Sequence, residues 1–319
     1  MNTLTVKVIK KTVEAEDIVS FAFASADGAP LPSFSAGSHI DVHLASGLVR
    51  QYSLCNDPHE SQHYQIAVLK DPQSRGGSVA VHATIQEGDM VTISDPRNHF
   101  ALEPADHYLL FAGGIGVTPI LCMAERLSRI DAGFDLHYSA RSKERTAFYD
   151  RIAGSAFADR AQFHFDSGDG GAGKLDLPAV LAAAAPGAHL YVCGPAGYIE
   201  FIIGSARAAG WDETRIHVEY FGAAPQDTAG DVAFDVKIAS TGKVYRIAAD
   251  KPVTTALLEY GIDIMVSCEQ GVCGTCITRV LDGQPDHRDM YLTDEEKAAN
   301  DQFTPCCSRS RSNCLVLDL

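Results

Sequence analysis

The chain has 319 residues, 46% hydrophobic and 21% charged, values of a soluble globular protein with room for two or three domains. A formal net charge of −15 argues against nucleic acid as a partner, because a phosphate backbone needs a basic surface. No apolar run reaches membrane-spanning length, and Met1–Lys11 lacks the apolar core of an export signal; nine cysteines then point to a reducing, cytoplasmic compartment.

From Thr3 to about Asp95 apolar residues recur at period two: Val6/Val8, Val19/Phe21/Phe23, Ile40/Val42/Leu44, Ile66/Val68 and Val91/Ile93. Turn residues such as Asp27-Gly28, Ser46-Gly47 and Gly88-Asp89 separate them. Short strands with regular turns predict a small antiparallel barrel over residues 1–105. It contains Arg50-Gln51-Tyr52-Ser53-Leu54 and then Arg75-Gly76-Gly77-Ser78. The second stretch has the physics of a phosphate site. Glycines expose N–H groups, Ser78 is a good N-cap for a short helix, and a helix start favours an anion. Arg50 adds a forked cation, and Tyr52 could lie against a flat ring. Taken singly these signals are weak, since a Gly-Gly pair is more often a turn. His39 and His82 are read as structural.

Residues 106–224 alternate between strand and helix. Tyr108–Ala112 is a continuous apolar run, as a buried parallel strand requires. Gly113-Gly114-Ile115-Gly116-Val117-Thr118-Pro119 follows, then a helix over Ile120–Ile130 with Pro119 in its first turn. Further strands are predicted at Phe134–Ser139, Ala161–Phe165, His189–Cys193 and Arg215–Tyr220, with helices at 147–153, 177–185 and 198–209. Such a pattern builds a mostly parallel sheet covered on both faces, with ligands at the carboxyl ends of its strands. Gly113–Pro119 and Cys193-Gly194-Pro195 both fall there and can face one cleft.

Residues 225–231 lie in a small, polar, Pro/Gly-containing linker. Beyond it, 232–239 and 243–247 predict a hairpin, Thr254–Tyr260 a helix and Cys314–Leu319 a closing strand, the outline of an α+β β-grasp domain over 232–319. Within it Cys268, Cys273 and Cys276 stand at C-x4-C-x2-C spacing, and Cys306 and Cys307 follow in Thr-Pro-Cys-Cys-Ser. This is plant-type spacing for a [2Fe–2S] cluster. Gly271 and Gly274 let the backbone wrap closely around it. Structural zinc usually takes paired C-x2-C units, and this loop holds one. Spacing leaves the fourth ligand open between Cys306 and Cys307.

In this order, the motifs resemble the phthalate dioxygenase reductase family of the ferredoxin–NADP reductase superfamily. The resemblance covers nearly the whole chain. It implies an FMN-binding barrel, an NADH-binding α/β domain and a C-terminal [2Fe–2S] domain. FMN is favoured by the Arg-Gly-Gly-Ser form at Arg75–Ser78. Arg50, Tyr52, Ser53 and Leu54 would meet the flavin, and Arg75, Gly76, Gly77 and Ser78 its phosphate. Gly113, Gly114, Gly116, Thr118, Pro119, Cys193, Gly194 and Pro195 would line the nicotinamide side, and Phe221 would lie near the flavin. Pro-Cys-x-Ser-Arg, as in related cluster domains, selects Cys306 as the fourth ligand beside Cys268, Cys273 and Cys276. The implied activity is hydride transfer from NADH to FMN, then single electrons through the cluster to a Rieske-type terminal oxygenase acting on an aromatic acid. The expected protein is a monomer in transient contact with that partner. No side chain is nominated as a proton-transfer catalyst. Arg141, Lys143 and Arg145 could meet the 2′-phosphate of NADP, and Asp166 could repel it; the resemblance favours NADH. The alternatives are a stand-alone flavin, ferric or cytochrome reductase and a zinc-stabilised binding module.

Overall fold

The computed structural model describes residues 3–71, 76–166, 173–222 and 228–319. It divides into two compact units, Met1–Phe221 and Gly222–Leu319.

The first unit opens with β1 (Thr3–Ala15), β2 (Ile18–Ser25), β3 (Ser38–His43), β4 (Val49–Ser53), β5 (Tyr64–Leu69), α1 (Gly77–Thr84), β6 (Met90–Ser94) and β7 (Arg97–Asn98). The antiparallel order is β4-β3-β6-β1-β2-β5, with β7 on β3. A bridge between Leu54 and Ile66 brings the two outer strands together and closes the barrel. Its core is the period-two set: Val6, Val8, Phe21, Phe23, Ile40, Val42, Ile66 and Ile93 are buried together.

The same unit continues with β8 (Tyr108–Gly113), α2 (Val117–Arg129), β9 (Phe134–Ala140), α3 (Tyr149–Ala153), β10 (Ala161–Phe165), α4 (Leu177–Ala183), β11 (His189–Cys193), α5 (Ala196–Ala208) and β12 (Ile216–Glu219). The sheet order is β10-β9-β8-β11-β12, and every pairing is parallel. Alternation along β8 sorts the faces. Leu110 and Ala112 pack under α2, while Leu109 and Phe111 pack under α4 and α5. The α2 core also takes in Ile18, Ala36, Cys55, Ala67 and Phe100, so barrel and sheet share one apolar interior. Arg129 donates to buried Asp57 across that join (Nε, 2.7 Å), and Arg151 bonds both Glu125 and Gln65.

The second unit holds β13 (Phe234–Ile238), β14 (Val244–Ile247), α6 (Val253–Glu259), β15 (Thr278–Asp282), β16 (Pro285–Asp286), α7 (Asp294–Ala299), β17 (Gln302–Phe303), β18 (Arg309–Ser310) and β19 (Cys314–Leu317). Its main sheet runs β14-β13-β19-β15-β17, with β16 paired to β18. Arg309 pins this unit internally. Buried over the Phe234 ring, it donates to the carbonyls of Lys251, Val232 and Ala248 at 3.0–3.1 Å and stands 3.5 Å from Asp231. Among the described residues no helix is long and apolar enough to cross a membrane.

Arg309→Met would leave three partly buried carbonyls without their donor, while Asp231 keeps Arg288 at 2.6 Å. Loss of the donor from such acceptors costs about 1–3 kcal/mol. We expect a lower urea midpoint for the Met variant, with Arg309→Lys intermediate because it keeps the charge but not the fork. Coincident midpoints for all three proteins would contradict the pin.

Candidate functional site

Three groups of residues carry the site. The first surrounds β4 and the start of α1. The helix begins after Gly76, which is left-handed at φ 80°, and no side chain among the described residues caps its first turn. Ser78 is therefore not the N-cap that its residue type suggests. It sits inside the first turn, and its hydroxyl bonds the main chain of Asp71 (3.1 Å from the amide). Arg50 packs closely on Gly77, where a Cβ would lie 2.5 Å from Arg50 Nε and the arginine would have to shift. The Arg50 stem thus packs on the helix start, beside N–H groups that favour an anion. Arg75 lies outside the described residues. Burial pushes the half-buried Tyr52 phenol up to about 12, so it remains an O–H donor at neutral pH. Ser53 and Leu54 are buried, and the buried amide of Gln51 has no hydrogen-bond partner among the described residues.

The second group sits at the carboxyl ends of β8, β11 and β12. A Cβ on Gly113 would meet the Tyr198 ring at 2.7 Å and Pro195 at 3.0 Å, and one on Gly116 would meet the Cys193 carbonyl oxygen at 2.3 Å. The Gly113–Pro119 turn and Cys193-Gly194-Pro195 are therefore in direct contact. A Cβ on Gly194 would lie 2.9 Å from the Gly113 Cα. Gly114, at φ 53°, has nothing within 4 Å of a built Cβ and faces open space. Thr118 is buried and donates to the Ile115 carbonyl at 3.2 Å, tightening the turn; Pro119 is buried in the first turn of α2. That helix starts at Val117, three residues before the predicted Ile120, because Gly114–Gly116 already coil as a 3-10 turn.

One residue here escaped the sequence reading. Glu219 ends β12 beside Cys193 in parallel register and accepts from Ser53 Oγ at 3.2 Å. Burial pushes its carboxyl up to about 8. Burial and the neighbouring Glu219 also hold the Cys193 thiol well above its usual range. A half-buried acid, a buried thiol and a buried serine hydroxyl therefore share one corner, two residues before the partly exposed Phe221. Such a group can hold a proton near neutral pH. His39 is kept neutral by burial and by Arg97, with its titration near 4, and His82 bonds the Val68 carbonyl at 2.8 Å.

The third group is the cysteine loop of the second unit. Its backbone turns left-handed at Glu269 (φ 54°), Gly271 (φ 72°) and Gly274 (φ 69°). A Cβ on Gly271 would strike Cys307 Sγ at 2.4 Å, and one on Gly274 the Tyr291 ring at 2.4 Å. Cys273, Cys276 and Cys306 are buried, and Cys268 is half-buried. Cys268 interacts with the thiols of Cys273 and Cys306, and Cys306 also with Cys276, so the four sulfurs converge. The amides of Gln270 and Thr275 point at the sulfurs of Cys268 and Cys273, at 3.3 and 3.5 Å. Hydrogen bonds from Cys273 and Cys306 drive Cys268 towards its thiolate. Cys307 turns to a hydroxyl niche, 3.3 Å from Thr304 Oγ1 and 3.8 Å from Ser308 Oγ. Among the described residues no three ligand side chains close on a single-ion point. A convergent thiol set with amides aimed at sulfur suits a cluster of two irons.

This geometry defines an oxidoreductase that joins a flavin-type barrel and a dinucleotide-type sheet to an iron–sulfur domain. Residues 236–311 match the 2Fe-2S iron-sulfur cluster binding domain family. Over 306 residues the chain is 56% identical to vanillate O-demethylase oxidoreductase of Pseudomonas sp., covering 96% of each chain. It is 39% identical to the phthalate 4,5-dioxygenase oxygenase reductase subunit of Pseudomonas putida, covering 98% of this chain and 96% of that one. The solved structure of phthalate dioxygenase reductase, described as modular for electron transfer from pyridine nucleotides to [2Fe–2S], superposes with a TM-score of 0.79 at 37% identity. That match covers 100% of this chain and 98% of the other. The chain belongs to the phthalate dioxygenase reductase family and is an electron-transferring oxidoreductase with flavin, pyridine-nucleotide and [2Fe–2S] sites.

Glu219 gives a pH signature. Folded, it keeps its proton to about pH 8, whereas the group's ordinary value is 4.5. Between these values the folded state binds more protons, so this group lowers stability as pH rises through that window. Glu219→Gln should flatten the decline of Tm between pH 5 and 8. Parallel Tm–pH curves for wild type and variant would show that the carboxyl is not held protonated.

Proposed function

We propose that the chain is the reductase component of a two-component Rieske-type oxygenase or demethylase acting on an aromatic acid. The observation that carries this reading is the convergence of Cys268, Cys273, Cys276 and Cys306 in the same chain as the two other sites. A plain flavin reductase has no use for such a loop. FMN bound in the barrel would take two electrons as hydride from NADH and return them singly, which is what a one-electron [2Fe–2S] acceptor requires.

The chain's own residues have assignable work. Arg50, with the N–H groups after Gly76 and Gly77, supports the flavin phosphate, and Arg75 and Ser78 belong to the same stretch. Tyr52, Ser53 and Leu54 face the ring and its ribityl chain, and the orphaned Gln51 amide sits in the strand that would carry them. Gly113, Gly114, Gly116, Thr118 and Pro119 shape the nucleotide turn. Cys193, Gly194 and Pro195 form its opposite wall, and Phe221 belongs to the flavin side. Cys306 rather than Cys307 is the fourth ligand, supported by its contacts with Cys268 and Cys276. The domain bounds 1–105, 106–224 and 232–319, with a 225–231 linker, complete the reading. So do a monomeric state, a cytoplasmic location and a transient complex with the oxygenase.

NADH is the favoured donor. Arg145 donates to Glu16 at 2.6 Å, and Lys143 lies 4.3 Å above the Tyr149 ring. Both cations are engaged by partners within the protein, and Asp166, just after β10, adds an acidic residue. The full chain, mixed with a purified Rieske oxygenase of the vanillate demethylase kind, should support demethylation at least about tenfold faster with NADH than with NADPH, a difference of roughly 1.4 kcal/mol. No demethylation should occur without the oxygenase. Substrate turnover by the chain alone, or equal rates with both nucleotides, would contradict the assignment.

A further inference from the structure

The cysteine loop is held from outside by a feature that the ligand set does not use. Asp289, Met290 and Tyr291 run along it and touch both of its glycines. A Cβ on Gly271 would lie 2.9 Å from Asp289 Cβ, and the Tyr291 ring covers Gly274. Between them, the Met290 amide donates to the Gly271 carbonyl at 3.0 Å.

The anchor of this strap is the Asp289 carboxyl, whose side chain has 0% exposure. One oxygen accepts from the amides of Leu292 (2.7 Å) and Tyr291 (3.2 Å), and the other from Ser308 Oγ (3.5 Å). These are acceptor roles, the ones a carboxylate fills. Among the described residues no lysine or arginine pairs with it. Lys297 Nζ donates to the main-chain carbonyl of Asp289 at 2.9 Å rather than to its carboxyl. His287 bonds Asn300 through Nε2, and its buried Nδ1, 3.8 Å from the carboxylate, makes no hydrogen bond among the described residues. A poorly compensated charge in the interior acts at longer range than one in water. Reduction of an iron–sulfur cluster adds one negative charge, and its potential responds to net charge and hydrogen bonding around the sulfurs.

We propose that Asp289 is a positioning residue that sets the potential of the iron–sulfur site. Its buried carboxylate seats the strap on Gly271 and Gly274 and opposes addition of the electron. The inference rests on the reading that Cys268, Cys273, Cys276 and Cys306 hold a [2Fe–2S] cluster.

The test is an anaerobic redox titration of full-length holoprotein, following the electron paramagnetic resonance signal of the reduced cluster. Asp289→Asn preserves shape and removes the charge. It should raise the midpoint, with about tenfold more reduced cluster at a fixed potential, or ~59 mV for one electron. Ser308→Ala removes a hydroxyl dipole that partly neutralises the carboxylate, and should shift the midpoint the other way. An unchanged or lower midpoint in Asp289→Asn overturns the proposal. If that variant does not retain a cluster, Ser308→Ala decides: a more negative midpoint supports the proposal, and an unchanged or more positive one overturns it. A wild-type protein with no cluster signal would defeat the cluster reading itself, and this inference with it; a normal wild-type signal with unshifted variants defeats only the inference.

Discussion

Four thiols from one chain meet only because the loop carrying three of them turns through left-handed backbone at three places. Two of those places are glycines, where the conformation costs little. The third is Glu269, for which it costs on the order of 1 kcal/mol. The surroundings enforce the same geometry. Cys307 and Asp289 crowd Gly271, and Tyr291 crowds Gly274, so a side chain at either glycine would push the loop off its seat. The fold of the second unit serves this loop. β15 leaves it directly after Cys276, and Arg309 locks the return segment three residues after Cys306.

The first unit rests on a different constraint, exclusion of water from the carboxyl ends of a parallel sheet. Glycines at 113, 116 and 194 bring two turns into contact; Cys193 is fully buried there and Glu219 half-buried beside it. Burial keeps thiol and acid uncharged, so the corner is a neutral lining able to hold a proton. The charges of this unit instead work where barrel and sheet meet, at Arg129–Asp57, Arg151–Glu125 and Arg145–Glu16. Partial burial makes the first two more effective than the exposed third.

What could be read from the residues follows from the physics of each signal. The barrel strands and the alternating middle were legible because their apolar residues keep a period, and the motifs because glycine, proline and cysteine have few alternative uses at such spacing. The region 278–310 was not legible. Its strands at 285–286, 302–303 and 309–310 are two residues long and carry no period. α7 buries no residue, so it shows no apolar stripe, although Thr293 and Glu296 form a capping box that the pattern Thr-x-x-Glu does announce. Ser78 misled because a good capping residue caps only when the turn before it allows; here Gly76 takes that place. Glu219 was invisible for a simpler reason, since an acid at a strand end normally faces water and only packing reveals that this one is half-buried against Ser53 and Cys193.

The central claim is that one chain accepts two electrons from a nucleotide and stores a third equivalent in its cysteine site. An anaerobic titration of the purified protein with NADH, followed by visible absorbance, tests it most directly. The flavin and iron–sulfur bands should bleach together, ending near about 1.5 NADH per chain, the sum of a two-electron flavin and a one-electron cluster. Bleaching that ends near about one equivalent, with flavin bands only, would contradict the assignment of the four cysteines. A protein colourless even after supply of flavin, iron and sulfide would contradict the whole account.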